Sequence, residues 1–346
     1  MLCFSNGGIL ISRYKKRAVL ELYRQNLFIN SLLLLPYTIL IRINTLIYPQ
    51  TLIISSQDGW LNHQLIQALY SYPRLQAILC IILVFLQAVS INYIVNTHKL
   101  TMRPHLLGGL FYILLVSLHY DFLPLSPIIL ANVFILIALI NLMRTYRVTR
   151  ISGSIFNGGF FIAAAASIYF PYIIYIFPGY IGLLILRSFR MKERLQFITG
   201  AIVFIYLYFA ALYYLGLDQL YFFNYFTANL PTLDLLDSYY GIMISSLMVA
   251  VAVVAVVVNY YSLRKKKSIQ SQKKIDILYW LMIFGPISIL FWHNLEYRSL
   301  MILVIPLSVM IGMLIYRIKN KAIAELIHIT VVIFVLISHF KPDILY

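Results

Sequence analysis

The feature that most limits what this chain can fold into is a series of long apolar runs separated by short clusters of basic residues. A run of about 20 apolar residues is what a helix needs to cross a bilayer. The hydrophobic share of 62% and a mean hydropathy of +0.87 exceed what a soluble domain carries, and only 11% of residues are charged. These values exclude a water-soluble enzyme, a disordered chain and a disulfide-built secreted scaffold. Two cysteines, Cys3 and Cys80, cannot make a disulfide framework or a thiolate zinc site.

The net charge of +16 needs a reading. In a soluble protein it would suggest nucleic acid. Here the cations fall in clusters between apolar runs: 13–24, 99–103, 144–150, 187–194, 264–274 and 317–321. Placing all of them in the cytoplasm follows the positive-inside rule. Only Arg42, Arg74, Arg298 and Lys341 then fall outside or near the outer interface. Most acids also fall outside, among them Asp58, Asp121 and Glu296. The fold class expected is all-α: a polytopic transmembrane helical bundle of about eleven spans, N-terminus in and C-terminus out. The spans read as 27–48, 76–96, 105–120, 124–143, 153–170, 171–187, 195–216, 239–261, 277–292, 300–316 and 324–340. Residues 1–26 form a cytoplasmic basic segment and 27–346 one membrane domain. The first span reads as an uncleaved signal anchor in a bacterial inner membrane.

Several spans are short. The stretches 105–143 and 151–187 must each go out and back. Their turns are rich in proline (Pro124, Pro127 and Pro171), which ends the helix before it. Gly108, Gly109, Gly158 and Gly159 permit close helix approach. Two arrangements fit: tightly packed hairpins, or half-depth hairpins beside an outward cavity. In the first outer loop, Trp60, Leu61, Leu65, Leu69 and Tyr72 recur at helical spacing, which predicts an amphipathic helix in the headgroup plane. The second outer loop, from Tyr221, reads as an aromatic belt. The inner loop 262–276 reads as a topology signal that touches anionic lipid.

No phosphate loop, dinucleotide fingerprint or HExxH motif occurs. What remains is a set of outer polar residues. Asp58, His119 and Asp121 are the candidate catalytic groups, and Arg42, His63, His293, Glu296 and Arg298 the candidate substrate contacts. Each has a plainer role open to it. Arg42 can snorkel, or pair with an acid or a lipid phosphate. Asp58 can cap the loop helix. His119 and Asp121 can serve their own turn. The outer histidines, with His339, come from separate segments and lack i, i+3 or i, i+4 spacing, so no metal or other cofactor is expected. His98 and His105 read as interfacial. Asn92, Asn132, Asn141 and Asn157 read as interhelical hydrogen bonders. The absence of a mid-span ionisable residue argues against a proton-coupled pump.

Residues 111–143 carry Phe-Tyr-Ile-Leu-Leu-Val and then Leu-Ser-Pro-Ile-Ile-Leu-Ala-Asn-Val-Phe. Residues 156–190 carry Phe-Asn-Gly-Gly-Phe-Phe-Ile-Ala-Ala-Ala-Ala-Ser-Ile-Tyr-Phe-Pro and then Leu-Leu-Ile-Leu-Arg-Ser-Phe-Arg. These stretches resemble an uncharacterised multi-pass family of Bacteroidota inner membranes, some members of which carry a carotene-oxygenase label. The resemblance implies a lineage and a membrane, and no activity. The layout is also similar to C-type polyprenyl-phosphate glycosyltransferases, which have about eleven spans, an acid in the first outer loop and amphipathic helices there. The chain departs from them in lacking a paired Asp-Glu and a large outer domain. Three functions follow as expectations. They are an accessory or assembly subunit of an envelope complex, a glycosyltransferase using a polyprenyl-phosphate donor, and a small-molecule permease. The partners expected are the lipid bilayer, a polyprenyl-phosphate lipid or other envelope proteins, and no nucleic acid.

Overall fold

An apolar run in the absence of water must satisfy its own backbone, and a helix does so within the segment. The computed structural model describes residues 19–49, 60–148, 151–216, 240–290 and 297–340, and among these there are helices and turns but no strand. The helices are α1 (Val19–Tyr23), α2 (Phe28–Leu32), α3 (Leu34–Ile41), α4 (Ile43–Ile47), α5 (Trp60–Leu69) and α6 (Pro73–Thr97). They continue as α7 (Leu107–Leu115), α8 (Pro127–Arg144), α9 (Ser152–Ile168), α10 (Ile176–Leu186) and α11 (Met191–Tyr214). The last are α12 (Tyr240–Val258), α13 (Tyr260–Arg264), α14 (Ile269–Leu290), α15 (Val304–Arg317) and α16 (Lys321–Phe340). Three 3-10 turns punctuate them: Tyr120–Phe122, Phe170–Tyr175 and Tyr297–Leu303. The third runs straight into α15, and the last two helical stretches are of crossing length.

Five stretches among the described residues are long and apolar enough to cross a membrane: Pro73–Thr97, Pro127–Arg144, Met191–Tyr214, Arg298–Arg317 and Lys321–Phe340. Shorter apolar helices cover Phe28–Ile41, Ser152–Ile168, Phe170–Leu186 and Ser246–Val258. The first apolar run is broken at Leu33 and Arg42 rather than continuous. The loop helix expected near 59–72 is present as α5, with Leu65 and Leu69 turned onto the core and Gln64 and Gln67 exposed.

Within the expected span 105–120 the helix, α7, has only nine residues, every one of them buried. At 1.5 Å per residue it covers about 14 Å, half of a hydrocarbon core. It packs on α15 through a glycine crossing. A Cβ on Gly312 would lie 2.7 Å from the Gly108 nitrogen and 2.8 Å from its Cα. On its other side Gly109 meets α6, where its N–H donates to Asn92 Oδ1 at 2.8 Å.

The helices α9 and α11 come together most closely. A Cβ built on Gly159 would stand 2.0 Å from the carbonyl oxygen of Phe197, and one on Gly200 would stand 2.1 Å from that of Phe156. Two glycines, one from each helix, thus admit the opposite backbone.

The basic clusters meet at one end of the bundle. Lys274 Nζ bonds His98 Nδ1 at 2.9 Å, Lys267 Nζ donates to the Leu100 carbonyl at 2.5 Å, and Ser271 donates to the Lys99 carbonyl at 2.7 Å. Arg24 donates to the carbonyls of Ile315, Tyr316 and Ile318. Arg187 donates to those of Thr145 and Val148, and Arg317 to that of Ser262. These carbonyls lie at or just past helix C-termini, where no intrahelical donor remains and the dipole is negative. These basic side chains therefore serve as helix caps.

His98 and His105 are 4% and 0% exposed, so both rings are packed against protein. Burial, with Lys274 and Arg144 nearby, lowers the His98 pKa from its ordinary 6.5 to about 3. The unfolded chain therefore takes up this proton first as pH falls. The His98 contribution to stability is full above about pH 6.5 and is lost as pH falls toward about 3. His98→Asn, which cannot be protonated, is expected to flatten the decline. Thermal midpoints of both proteins across that pH range measure it.

Candidate functional site

An arginine inside an apolar bundle must find acceptors for all its donors or shed its burial. Arg42 sits between α3 and α4 and is 0% exposed. It neither snorkels nor reaches an acid: no ion pair among the described residues includes it. Its Nε donates to Ser117 Oγ at 2.9 Å. Its Nη1 donates to Cys80 Sγ at 2.8 Å and to the Leu123 carbonyl at 3.2 Å. Its Nη2 donates to the carbonyls of Val116 at 3.0 Å and Phe122 at 2.8 Å. These are five bonds for five N–H groups. A lipid phosphate could take one only by breaking another.

The acceptors explain the placement. Val116 and Ser117 follow directly on α7, where the half-length helix leaves orphan carbonyls. Arg42 takes Val116, His339 Nε2 bonds the Ser117 carbonyl at 2.7 Å, and Ser338 Oγ bonds the Leu118 carbonyl at 3.2 Å. A cation at the negative end of a buried helix dipole is favourable. Asn44 in turn donates to the His339 carbonyl at 2.7 Å, which ties α4 to α16.

The 116–126 turn carries two other candidates. His119 is 2% exposed, and its Nδ1 accepts the Asp121 N–H at 3.1 Å, capping the 3-10 turn Tyr120–Phe122. The Asp121 carboxylate lies 3.5 Å from the same Nδ1 and is 40% exposed. A ring nitrogen that accepts the backbone N–H holds no proton to give that carboxylate, so the pair is a turn cap first. Arg42, His119 and Asp121 are thus brought to one turn, and the bonds of the first two serve it.

Arg298 lies half-buried in the 3-10 turn Tyr297–Leu303, which packs against Tyr120–Phe122. His63 belongs to α5, with its side chain outside the described residues. Asp58, His293 and Glu296 also lie outside the described residues. Among the described residues no three His, Cys, Asp or Glu side chains group as a metal site would require.

The sequence did point to buried asparagines, and one organises a chain of polar contacts that was not anticipated. Tyr172 donates to Asn132 Oδ1, Asn132 donates to Tyr112 Oη at 3.5 Å, and Tyr112 donates to Gln87 Oε1. Gln87 closes it on the Ile129 carbonyl at 2.6 Å. All four side chains are buried, and they come from α6, α7, α8 and the turn before α10. Asn141, by contrast, bonds the Ile137 carbonyl of its own helix. A run of tyrosines reads from sequence as interface, so Tyr112 and Tyr172 gave no sign of burial.

Beside α5 an apolar groove of about 260 Å³ is lined by Trp60, Phe160, Phe204, Leu207, Tyr208 and Leu212. It joins the loop helix to α9 and α11 and has the chemistry of a hydrocarbon-chain site. Comparison of the chain with protein-family models, with curated proteins and with solved structures gives no match in any of the three.

Proposed function

We propose that this is a multi-pass protein of a bacterial inner membrane, acting as an accessory or assembly subunit of a cell-envelope complex. In this reading it crosses eleven times. The basic end and the N-terminus face the cytoplasm, and the C-terminus lies outside. One observation carries the reading: Arg42 and His119, two of the outer polar side chains that sequence nominates for chemistry, are turned inward. Arg42, His119 and His339 hold backbone groups of the 116–126 turn. Outward, α11, α12 and α16 present apolar faces, with Leu195, Ile202, Val251, Val254, Leu326 and Ile333 exposed. Such faces suit lipid or the helices of another membrane protein.

A tag at the C-terminus tests topology and function together. It should be cut by protease added to intact spheroplasts, and it should recover a membrane protein in fixed ratio. A tag shielded in spheroplasts sinks the odd span count. Recovery of the chain alone sinks the assembly reading.

Lipid-linked sugar transfer is a second reading, favoured by the aromatic groove under α5, whose size and apolarity suit a length of isoprenoid chain. Asp58 would be its base. Arg42 is not its phosphate ligand, since its donors are used. A transfer product that disappears in Asp58→Asn would move the conclusion to this reading.

A further inference from the structure

At the basic end, α11 begins without a side-chain cap hydrogen bond, and the one acid in its first turn, Glu193, is turned to other cations. Arg194 sits in its first turn. Helical side chains lean toward the N-terminus, and this one leans back past the start of α11. Its guanidinium carbon lies 5.8 Å from the ring centre of Phe189, which precedes the helix, and 5.7 Å from that of Tyr180 on α10.

Arg194 is 1% exposed, and Nε, Nη1 and Nη2 are all buried with no hydrogen-bond partner. The contrast with Arg42 is direct, since there every donor is used. The nearby acid does not serve. Both Glu193 oxygens are held by Arg187, from Nε at 2.6 Å and Nη2 at 2.7 Å, with Arg190 Nη1 at 3.9 Å as a further cation. Two aromatic faces offset part of the cost of a buried guanidinium, but they accept none of its five N–H bonds as an oxygen would. An uncapped helix start and an unpartnered buried guanidinium at the same place call for an anion with several acceptor oxygens. Phe189, itself 66% exposed, is the cover through which one would enter.

We propose that Arg194, with the N-terminus of α11, binds a phosphate group, presented by an anionic phospholipid headgroup in the leaflet at the basic end or by soluble phosphate. The guanidinium would take two phosphate oxygens side by side, the backbone N–H groups at the start of α11 would take a third, and Arg190 would supply outer charge. The site lies at the end opposite the 116–126 turn and does not depend on the assembly reading.

The full chain is to be placed in vesicles of phosphatidylcholine alone, or of phosphatidylcholine mixed with phosphatidylglycerol. Thermal stability and lipid retained after detergent extraction are the readouts. The wild type should retain phosphatidylglycerol and melt higher in the mixed vesicles. Arg194→Gln should lose both responses. Arg194→Lys keeps the charge but loses the fork, so its retention should fall about tenfold, the factor for one charge-assisted bond. If Arg194→Gln does not fold, the lysine variant and the two vesicle types still decide.

Inorganic phosphate added to the phosphatidylcholine sample separates the sources. Protection by phosphate, absent in the variants, assigns a soluble ligand, whereas protection by phosphatidylglycerol alone assigns the headgroup. A wild type indifferent to both additions, or variants that respond as the wild type does, would overturn the proposal.

Discussion

Alanine at Gly159 or at Gly200 is expected to destabilise the bundle by about 3 kcal/mol, at the upper end of what overpacking costs. The new methyl would stand 2.0 Å from the Phe197 carbonyl oxygen in the first case and 2.1 Å from that of Phe156 in the second. Neither obstacle is a side-chain tip that can swing aside. Both are backbone, so α9 and α11 must separate along their contact. The expected readout is a lowered thermal midpoint in detergent, together with loss of a disulfide engineered across the crossing. The two sites are reciprocal, so the double variant should cost clearly less than the sum of the singles. Once one methyl has pushed the helices apart, the second finds room. Gly153 is the control. It lies on the same helix, and a Cβ there meets nothing within 4 Å. Alanine at Gly153 should be neutral or mildly stabilising, since glycine is the poorer helix former by roughly 1 kcal/mol. A loss at Gly153 equal to that at Gly159 would mean that the crossing is not what the glycines serve.

The helices were legible because their signal is local. Apolar runs with basic punctuation lie on helical segments, and the loop helix at Trp60–Leu69 follows from spacing alone. The glycines flagged for close approach do make one at Gly159, though nothing in Gly158-Gly159 names Phe197 as the partner. The sequence showed that 105–143 must make short passes but not where α7 would stop. Residues 110–118 are apolar throughout apart from Ser117, and no proline arrives before Pro124. The helix stops there because distant side chains accept its ending, and Arg42 and His339 come from 74 positions before and 222 positions after the carbonyls they hold. The same distance hid the fate of the candidate site. Arg42 beside an outer surface suggested snorkelling or phosphate, since sequence shows a cation's neighbours along the chain and not its acceptors across it. His119 and Asp121 were readable as turn chemistry because their partners are two residues apart. Arg194, counted with the topology charges, gave no sign that it would be interior.

Arg42 offers the sharper test of what this end of the molecule is for. Arg42→Gln is expected to cost about 3–5 kcal/mol, the scale of breaking a buried charged network from one side. Glutamine brings two N–H donors where five were in use, so carbonyls among Val116, Phe122 and Leu123 lose their partner in an interior without water. Each such loss costs about 1–3 kcal/mol. Lysine is the informative variant. Its ammonium keeps the charge but has three donors and no planar fork, and it cannot span Ser117, Cys80 and three carbonyls at once. If Arg42 closes the end of α7, Arg42→Lys should be destabilised nearly as much as Arg42→Gln. Proteolysis should then cut first within 116–126, where the released turn is. If Arg42 instead held a phosphate as a point charge, lysine would restore function and leave the melt almost unchanged. Thermal unfolding and limited proteolysis of the two variants separate these outcomes. The bond pattern favours the first, because a guanidinium with five protein acceptors has no donor left for a ligand.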